Sequence, residues 1–378
     1  MRRSPILVRG APPPEPPVRF HVAKCPASSE EAKLLESGTL SDNCQGIMDG
    51  FQKKTLKTSR GYTYTYYVAD GDKSLPTLIF HHGWPDHAAM WKDIATGLRS
   101  TNHRMIIPDM LGYDGTDKPT DPAEYQFHKM TKDIIEIADA EDAQSVVSIG
   151  HDWGSSAASR LYNHYPDKVV GLINLNVPYS PPTGDTFNLE KFNAITKEKF
   201  GAALFSYWEV FAGEDGPKVL YDNLERLFRA QHGEGQTMAK IWTVEGATRE
   251  YLTQGNHEHE LRPYAQDPTF KKTFIDRMTR DGFEGPQCWY RATVQNYQSA
   301  SDKELPRDRM VVKVPALYIG CTDDPVCRPE GMASYKAQLI PYLEEAEMIN
   351  ASHWVPYEAP DEVIKRIEPW LKKTFGKQ

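Results

Sequence analysis

The chain has 378 residues, with 44 Lys and Arg against 52 Asp and Glu for a net charge of −8, and 39% hydrophobic and 25% charged residues. That is enough apolar material for a substantial core in one large or two ordinary domains, and the negative balance without a basic cluster argues against nucleic acid as a partner. No run of about 18 apolar residues predicts a membrane span. Five Cys at 25, 44, 288, 321 and 327, an odd count with no framework spacing, point to reduced thiols and a cytoplasmic protein, with Cys321 and Cys327 the pair near enough to bridge.

Residues 1–50 read as a flexible extension. Arg2, Arg3, Arg9 and Arg19 surround the run Ala11-Pro12-Pro13-Pro14-Glu15-Pro16-Pro17, which is too proline-rich to pack and lacks the apolar stretch of a secretory signal. The early arginines suit a mitochondrial transit peptide, but the prolines spoil the amphipathic helix it needs. A short helix is expected over Glu30 to Leu40. From Lys53 the pattern becomes regular: Lys53–Thr58 and Tyr62–Ala69 flank Ser59-Arg60-Gly61, a hairpin signal. Strands follow at Thr77–Phe80, Arg104–Ile107, Ser145–Ile149 and Val169–Leu175, with helices between them. The helix around His128 to Glu141 shows Met130, Ile134, Ile137 and Ala138 at the spacing of a one-sided face. Such alternation predicts an α/β protein with a mostly parallel central sheet and helices on both faces.

After Val177-Pro178 the strand signals stop. Residues 179–301 read as a helical insertion, a cap over the core formed by 51–178 and 302–378, rich in Phe187, Phe192, Phe200, Phe205, Trp208, Phe211, Trp242 and Trp289. A strand returns at Val311–Gly320, a short last one is expected at Ala346–Asn350, and a helix opens near Pro360. The cluster Asn256-His257-Glu258-His259-Glu260 has two metal-ligand types but no third ligand at helical spacing, so no metal is expected.

Three segments carry chemistry. Val147-Ser148-Ile149-Gly150-His151-Asp152-Trp153-Gly154 has the Gly-x-nucleophile-x-Gly spacing of a strand-to-helix elbow, with an Asp where an esterase has Ser. A carboxylate is anionic at neutral pH and needs no base to activate it, so it suits attack at an sp3 carbon. The bland alternative is an Asp capping the following helix. Downstream, Cys321-Thr322-Asp323-Asp324-Pro325 ends the Val311–Gly320 strand, and Ala351-Ser352-His353-Trp354 precedes the final helix. The order nucleophile, acid, His suits a triad in which His353 draws a proton from water and Asp324 holds its tautomer. Asp323 competes for that role, and Asp324 is preferred because Asp-Pro-Val fits the turn. Third, His81-His82-Gly83-Trp84-Pro85-Asp86 follows an apolar strand. Its Trp-Pro bond is suited to the cis form, and the N–H groups of Trp84 and Trp153 would form an oxyanion hole.

On these segments the chain resembles the α/β-hydrolase-fold epoxide hydrolases of the soluble type, most of all the monofunctional fungal and plant members, from Phe51 to Gly376. The resemblance implies an α/β-hydrolase fold with a helical cap and two cap tyrosines that hydrogen-bond the epoxide oxygen. Gln287-Cys288-Trp289-Tyr290-Arg291 matches the family's Trp-Tyr-Arg segment and nominates Tyr290; Phe205-Ser206-Tyr207-Trp208 nominates Tyr207. A phenol with a pKa of about 10 stays protonated at pH 7 and can stabilise the alkoxide. The implied reaction opens an apolar epoxide through an Asp152 ester, which His353-activated water hydrolyses to a vicinal diol without cofactor or metal. Trp84, Trp153, Phe205, Trp208, Trp289 and Trp354 are expected to bind substrate, and a homodimer is open. Fifty residues cannot house the phosphatase domain of some vertebrate relatives. Haloalkane dehalogenases share the elbow Asp-Trp but need halide donors rather than phenols. A non-catalytic ligand sensor on this fold has no need of Asp152, Asp324 and His353 together.

Overall fold

The computed structural model describes residues 48–254, 259–332 and 336–376. The N-terminal extension, the helix expected over Glu30–Leu40 and residues 256–258 of the His-rich cluster lie outside them.

Strands β1 (Gln52–Lys57), β2 (Thr63–Ala69), β3 (Thr77–His81), β4 (Met105–Pro108), β5 (Val146–His151), β6 (Val169–Leu175), β7 (Ala316–Ile319) and β8 (Leu343–Glu345) form one sheet in the order β1-β2-β4-β3-β5-β6-β7-β8. β1, β2 and β4 pair antiparallel; every other pair is parallel. The hairpin around Ser59-Arg60-Gly61 therefore forms as its turn residues require.

Alternation along the strands builds two cores. Leu78 and Phe80 of β3, Met105 and Ile107 of β4, and Val147 and Ile149 of β5 join one cluster with Trp91, Ile94 and Trp370. Ile79, Ile106 and Val146 belong to the other, with Met130, Ile134 and Ile137 of the helix Phe127–Ala140. Successive side chains point to opposite faces, so a sheet covered by helices on both sides reads as continuous apolar runs.

Two strands depart from expectation. Only Ala316–Ile319 of Val311–Gly320 is strand, since Pro315 has no N–H for the ladder. The last strand lies at Leu343–Glu345, ahead of the expected Ala346–Asn350. Being an edge strand, it is polar where apolar residues were sought; Ile349 makes only a single bridge to Cys321. Between β6 and β7 the chain runs through helices from Leu189–Phe200 to Tyr297–Asp302. They are tied to the core by the Arg160 guanidinium, which grips both oxygens of Asp302 at 3.1 and 2.8 Å. Among the described residues no helix is long and apolar enough to cross a membrane, and Cys288, Cys321 and Cys327 are free thiols, so Cys321 and Cys327 do not bridge.

Candidate active site

The carboxyl ends of neighbouring parallel strands converge on one point, as they do where open α/β sheets bind ligands. β5 delivers Asp152 and β3, its neighbour, delivers Gly83-Trp84. Asp152 sits at φ 53°, ψ −127°, at the start of the helix Trp153–His164. That is a rare conformation for a residue with a Cβ, and it throws the side chain out of the turn. Its neighbours must be small. A Cβ on Gly150 would lie 2.1 Å from the Gly154 carbonyl, and one on Gly154 would lie 1.9 Å from the His81 carbonyl.

Asp152 Oδ1 accepts a 2.8 Å hydrogen bond from the Trp84 N–H. The peptide unit that supplies this N–H is fixed from its other end. Its Gly83 carbonyl accepts from the Asp86 N–H at 3.0 Å and from His82 Nδ1 at 2.9 Å, while His82 Nε2 accepts from the Met110 N–H at 2.8 Å. Burial pushes the His82 imidazole down to about 3, so it stays neutral and in this tautomer. The Trp84–Pro85 bond is cis. Trp153 opens its helix, so its N–H is among the donors left without an intrahelical partner.

His353 stands between two carboxylates. Its Nε2 is 3.6 Å from Asp152 Oδ2, and its Nδ1 donates to Asp324 Oδ2 at 2.7 Å. Of the adjacent acids, Asp324 is buried and meets the imidazole whereas Asp323 is exposed. Asp324 also accepts from Asn176 Nδ2 at 2.8 Å and from the Val326 and Cys327 N–H groups at 3.0 Å each. Burial pushes its carboxyl up, but the imidazole and these donors outweigh that and hold it at about 2. For His353 burial works downward, yet the carboxylates of Asp324 and Asp152 raise it well above the usual histidine value. His151 donates from Nε2 to the His353 carbonyl at 2.7 Å; burial lowers its pKa, which keeps it uncharged.

A narrow cavity of about 20 Å³ opens above the carboxylate, lined by Trp84, Asp152, Tyr207, Phe211, Met238, Trp242, Tyr290, Val326, His353 and Trp354. Tyr207 and Tyr290 lie with ring centroids 6.0 Å apart. Burial raises both phenols far above their ordinary value, so both remain protonated. The Trp84 indole donates to Gln287 Oε1 at 2.6 Å, and Gln287 Nε2 donates on to the Phe211 carbonyl at 2.9 Å, which fixes one wall.

Of the residues expected to bind substrate, Trp84 and Trp354 line this cavity, whereas Trp153, Phe205, Trp208 and Trp289 stand behind it. Adjacent residues on a helix point about 100° apart. With Tyr290 facing the cavity, Trp289 turns to the core, where its indole donates to the Leu111 carbonyl at 2.9 Å. Trp208, beside Tyr207, likewise packs at a tilt against Trp153, Phe187 and Phe205. Phe211, Met238, Trp242 and Val326 complete the wall, and His82, His151, Asn176 and Gln287 support it. None of the second group has a sequence signal beyond its nearness to a motif.

Elbow, triad geometry and sheet order define a hydrolase-type scaffold with a carboxylate at the nucleophile position. The chain belongs to the alpha/beta hydrolase fold family, whose model matches residues 76–360. An epoxide hydrolase of Neurospora crassa is 27% identical over 83% of this chain and 93% of its own length. The bifunctional epoxide hydrolase 2 of Mus musculus is 29% identical over 79% of this chain, which spans about half (52%) of that relative's length. Among solved structures, epoxide hydrolase A from Mycobacterium thermoresistibile matches with a TM-score of 0.70 and 22% identity, over 87% of this chain and 100% of that one. A laboratory-evolved variant of a potato epoxide hydrolase matches with a TM-score of 0.68 and 22% identity, over 85% and 99%.

Proposed function

We propose that this protein hydrolyses epoxides to vicinal diols through a covalent ester on Asp152. The observation that carries this reading is a carboxylate, Asp152, and two protonated phenols, Tyr207 and Tyr290, lining one aromatic cavity. A carboxylate opens a strained ring only if the leaving oxygen is stabilised as its charge develops, and phenols are suited to that. The printed names of the curated relatives support the same reading.

In the first step Asp152 Oδ2, free of the Trp84 N–H, attacks a ring carbon, and the C–O bond breaks toward the phenols. The charge state of His353 supplies the proton balance. Flanked by two anions, the resting imidazole holds a proton on each nitrogen. Esterification turns Asp152 neutral and removes one of the charges that hold the second proton, which passes to the alkoxide. His353 is then a free base at Nε2. It takes a proton from water as the oxygen attacks the Asp152 carbonyl, and the Trp84 and Trp153 N–H groups receive the oxyanion. Collapse expels the diol and restores the carboxylate and the imidazolium. No cofactor enters this scheme.

The cavity's aromatic walls favour an apolar epoxide. The test is turnover of aryl and alkyl epoxides in oxygen-18 water. Label is expected in Asp152 after multiple turnovers, because the water oxygen that attacks the ester carbonyl stays on the carboxylate while the oxygen that opened the ring leaves with the diol. Diol formed without label in Asp152 would mean direct attack by water, and no diol at all would move the assignment to dehalogenation or to ligand sensing.

A further inference from the structure

Cys327 has no part in these steps, yet it stands against the imidazole. Its Sγ lies 3.6 Å from His353 Nδ1, the nitrogen that Asp324 Oδ2 also approaches at 2.7 Å. One ligand atom from each of Asp324, Cys327 and His353 falls within 4.8 Å of the others. The loop itself enforces this, because the Cys327 N–H donates to Asp324 Oδ1 at 3.0 Å and so brings the thiol and the carboxylate onto one turn.

We propose that Asp324, Cys327 and His353 form an inhibitory site for a thiophilic divalent cation such as Zn²⁺. Bonds of about 2.3 Å to sulfur and about 2.05 Å to nitrogen at a tetrahedral angle put the two ligand atoms about 3.6 Å apart. The thiol and imidazole already have that spacing. The carboxylate oxygen must draw back by about 0.7 Å, to the roughly 3.4 Å that separates nitrogen and oxygen ligands of one tetrahedral ion. In doing so it exchanges a hydrogen bond for a metal bond, while Asn176, Val326 and Cys327 still hold the carboxyl group. Water completes the coordination. Cys327 keeps part of its surface open, whereas Asp324 and His353 are buried, so the ion enters from the thiol side.

The protons balance simply. The ion displaces one from Sγ and one from Nδ1, both of which leave to solvent, and the proton on Nε2 stays. An imidazole whose Nδ1 is bound to metal and whose Nε2 is protonated has no lone pair for water, although Asp152 is untouched. The loaded enzyme should therefore accept an epoxide, the alkoxide taking its proton from solvent instead of from Nε2, and stall as the ester; this consequence, unlike the site itself, rests on the proposed function.

The experiment is calorimetric titration of the full chain with Zn²⁺, repeated on Cys327→Ala and on Cys327→Ser, which preserves the volume. Co²⁺ is added in parallel to read thiolate-to-metal charge-transfer absorption. One equivalent is expected to bind the unaltered protein, and losing the thiolate ligand should weaken it by at least about 100-fold in both variants. Both variants should turn over epoxide at close to the unaltered rate and resist zinc. Equal affinity in the three proteins, or no cobalt–thiolate band that depends on Cys327, would overturn the site. Because the titration is read without substrate, a protein that binds zinc through Cys327 but opens no epoxide would refute the functional reading and leave the site standing.

Discussion

Replacing Gly83 by Ala should disable the nucleophile while leaving the fold intact. A Cβ at this position would lie 2.3 Å from Asp152 Oδ1 and 2.5 Å from Asp152 Cβ. Ordinary contact begins at about 3.4 Å, so the carboxylate must withdraw by about 1 Å. Its hydrogen bond to the Trp84 N–H, now 2.8 Å, would then stretch out of range. Displacing a reacting atom by about 1 Å can cost about 100-fold in rate, which corresponds to about 2.7 kcal/mol. Gly83 is not in the left-handed region, so its φ suits Ala, but the Asp152 Cβ moves only with the elbow backbone, so part of the cost falls on stability. The assay is rapid-quench single turnover with intact-mass detection of the ester, beside a thermal melt. Ester formation about 100-fold slower in a variant that still folds, with a lowered Tm, is the expected result. A folded variant that alkylates within about threefold of the unaltered rate would refute the argument that Gly83 is there to seat the carboxylate. Gly154→Ala is the contrast: its Cβ meets the His81 backbone carbonyl at 1.9 Å, and the cost should fall on folding.

His353→Gln should accumulate protein heavier by the mass of one substrate molecule, since attack by Asp152 needs no base and solvent can supply the alkoxide's proton; unmodified, inactive protein would count against the two-step scheme. Tyr290→Phe and Tyr207→Phe each remove one donor to the departing oxygen and should slow ester formation by about 100-fold or more, so an unchanged single-turnover rate removes that tyrosine from its role. Stability should follow the triad's charges, with the signs fixed by the direction of each shift. The raised pKa of His353 gives a contribution present in full below about 6.5 and lost as pH rises through its folded value; the lowered pKa of Asp324 gives one present above 3.8 and lost as pH falls through about 2. Melts of the unaltered protein and His353→Gln across pH should show the first difference shrink on the alkaline side, and a gap that widens there would contradict the assignment.

Much of this site could be read in the sequence because its parts are local. An apolar strand, Gly150, a central Asp and a run of small residues specify the elbow without any distant contact, and Asp324 stood out from Asp323 through its turn. The wall of the cavity could not be read in the same way. Trp289 and Tyr290 are neighbours in sequence and equally aromatic, and only the helix's orientation on the core decides which of them faces the carboxylate. His82, Asn176 and His151 act through groups up to 202 residues away, as in the His151–His353 contact, and although His82 and His151 sit within motifs, nothing there marks the part each plays. The polar edge strand at Leu343–Glu345 was missed for a related reason: its residues are set by solvent exposure rather than by the core.

Two carboxylates share one imidazole here, and their surroundings separate their work. Asp324 has no exposed side-chain surface and accepts from Asn176, two backbone N–H groups and His353. Each donor stabilises the charge and draws electron density from the oxygens, so Asp324 is a poor nucleophile as well as a weak base. Asp152 is partly open to the cavity. Among the described residues it is held by one N–H on Oδ1, leaving Oδ2 facing the cavity and 3.6 Å from the imidazole. An electrophile entering the cavity therefore meets one reactive carboxylate and one spent on holding a proton. The distinction rests on hydrogen-bond count and access rather than on residue type, which is why exchanging the two acids' environments, not their identities, would be needed to exchange their roles.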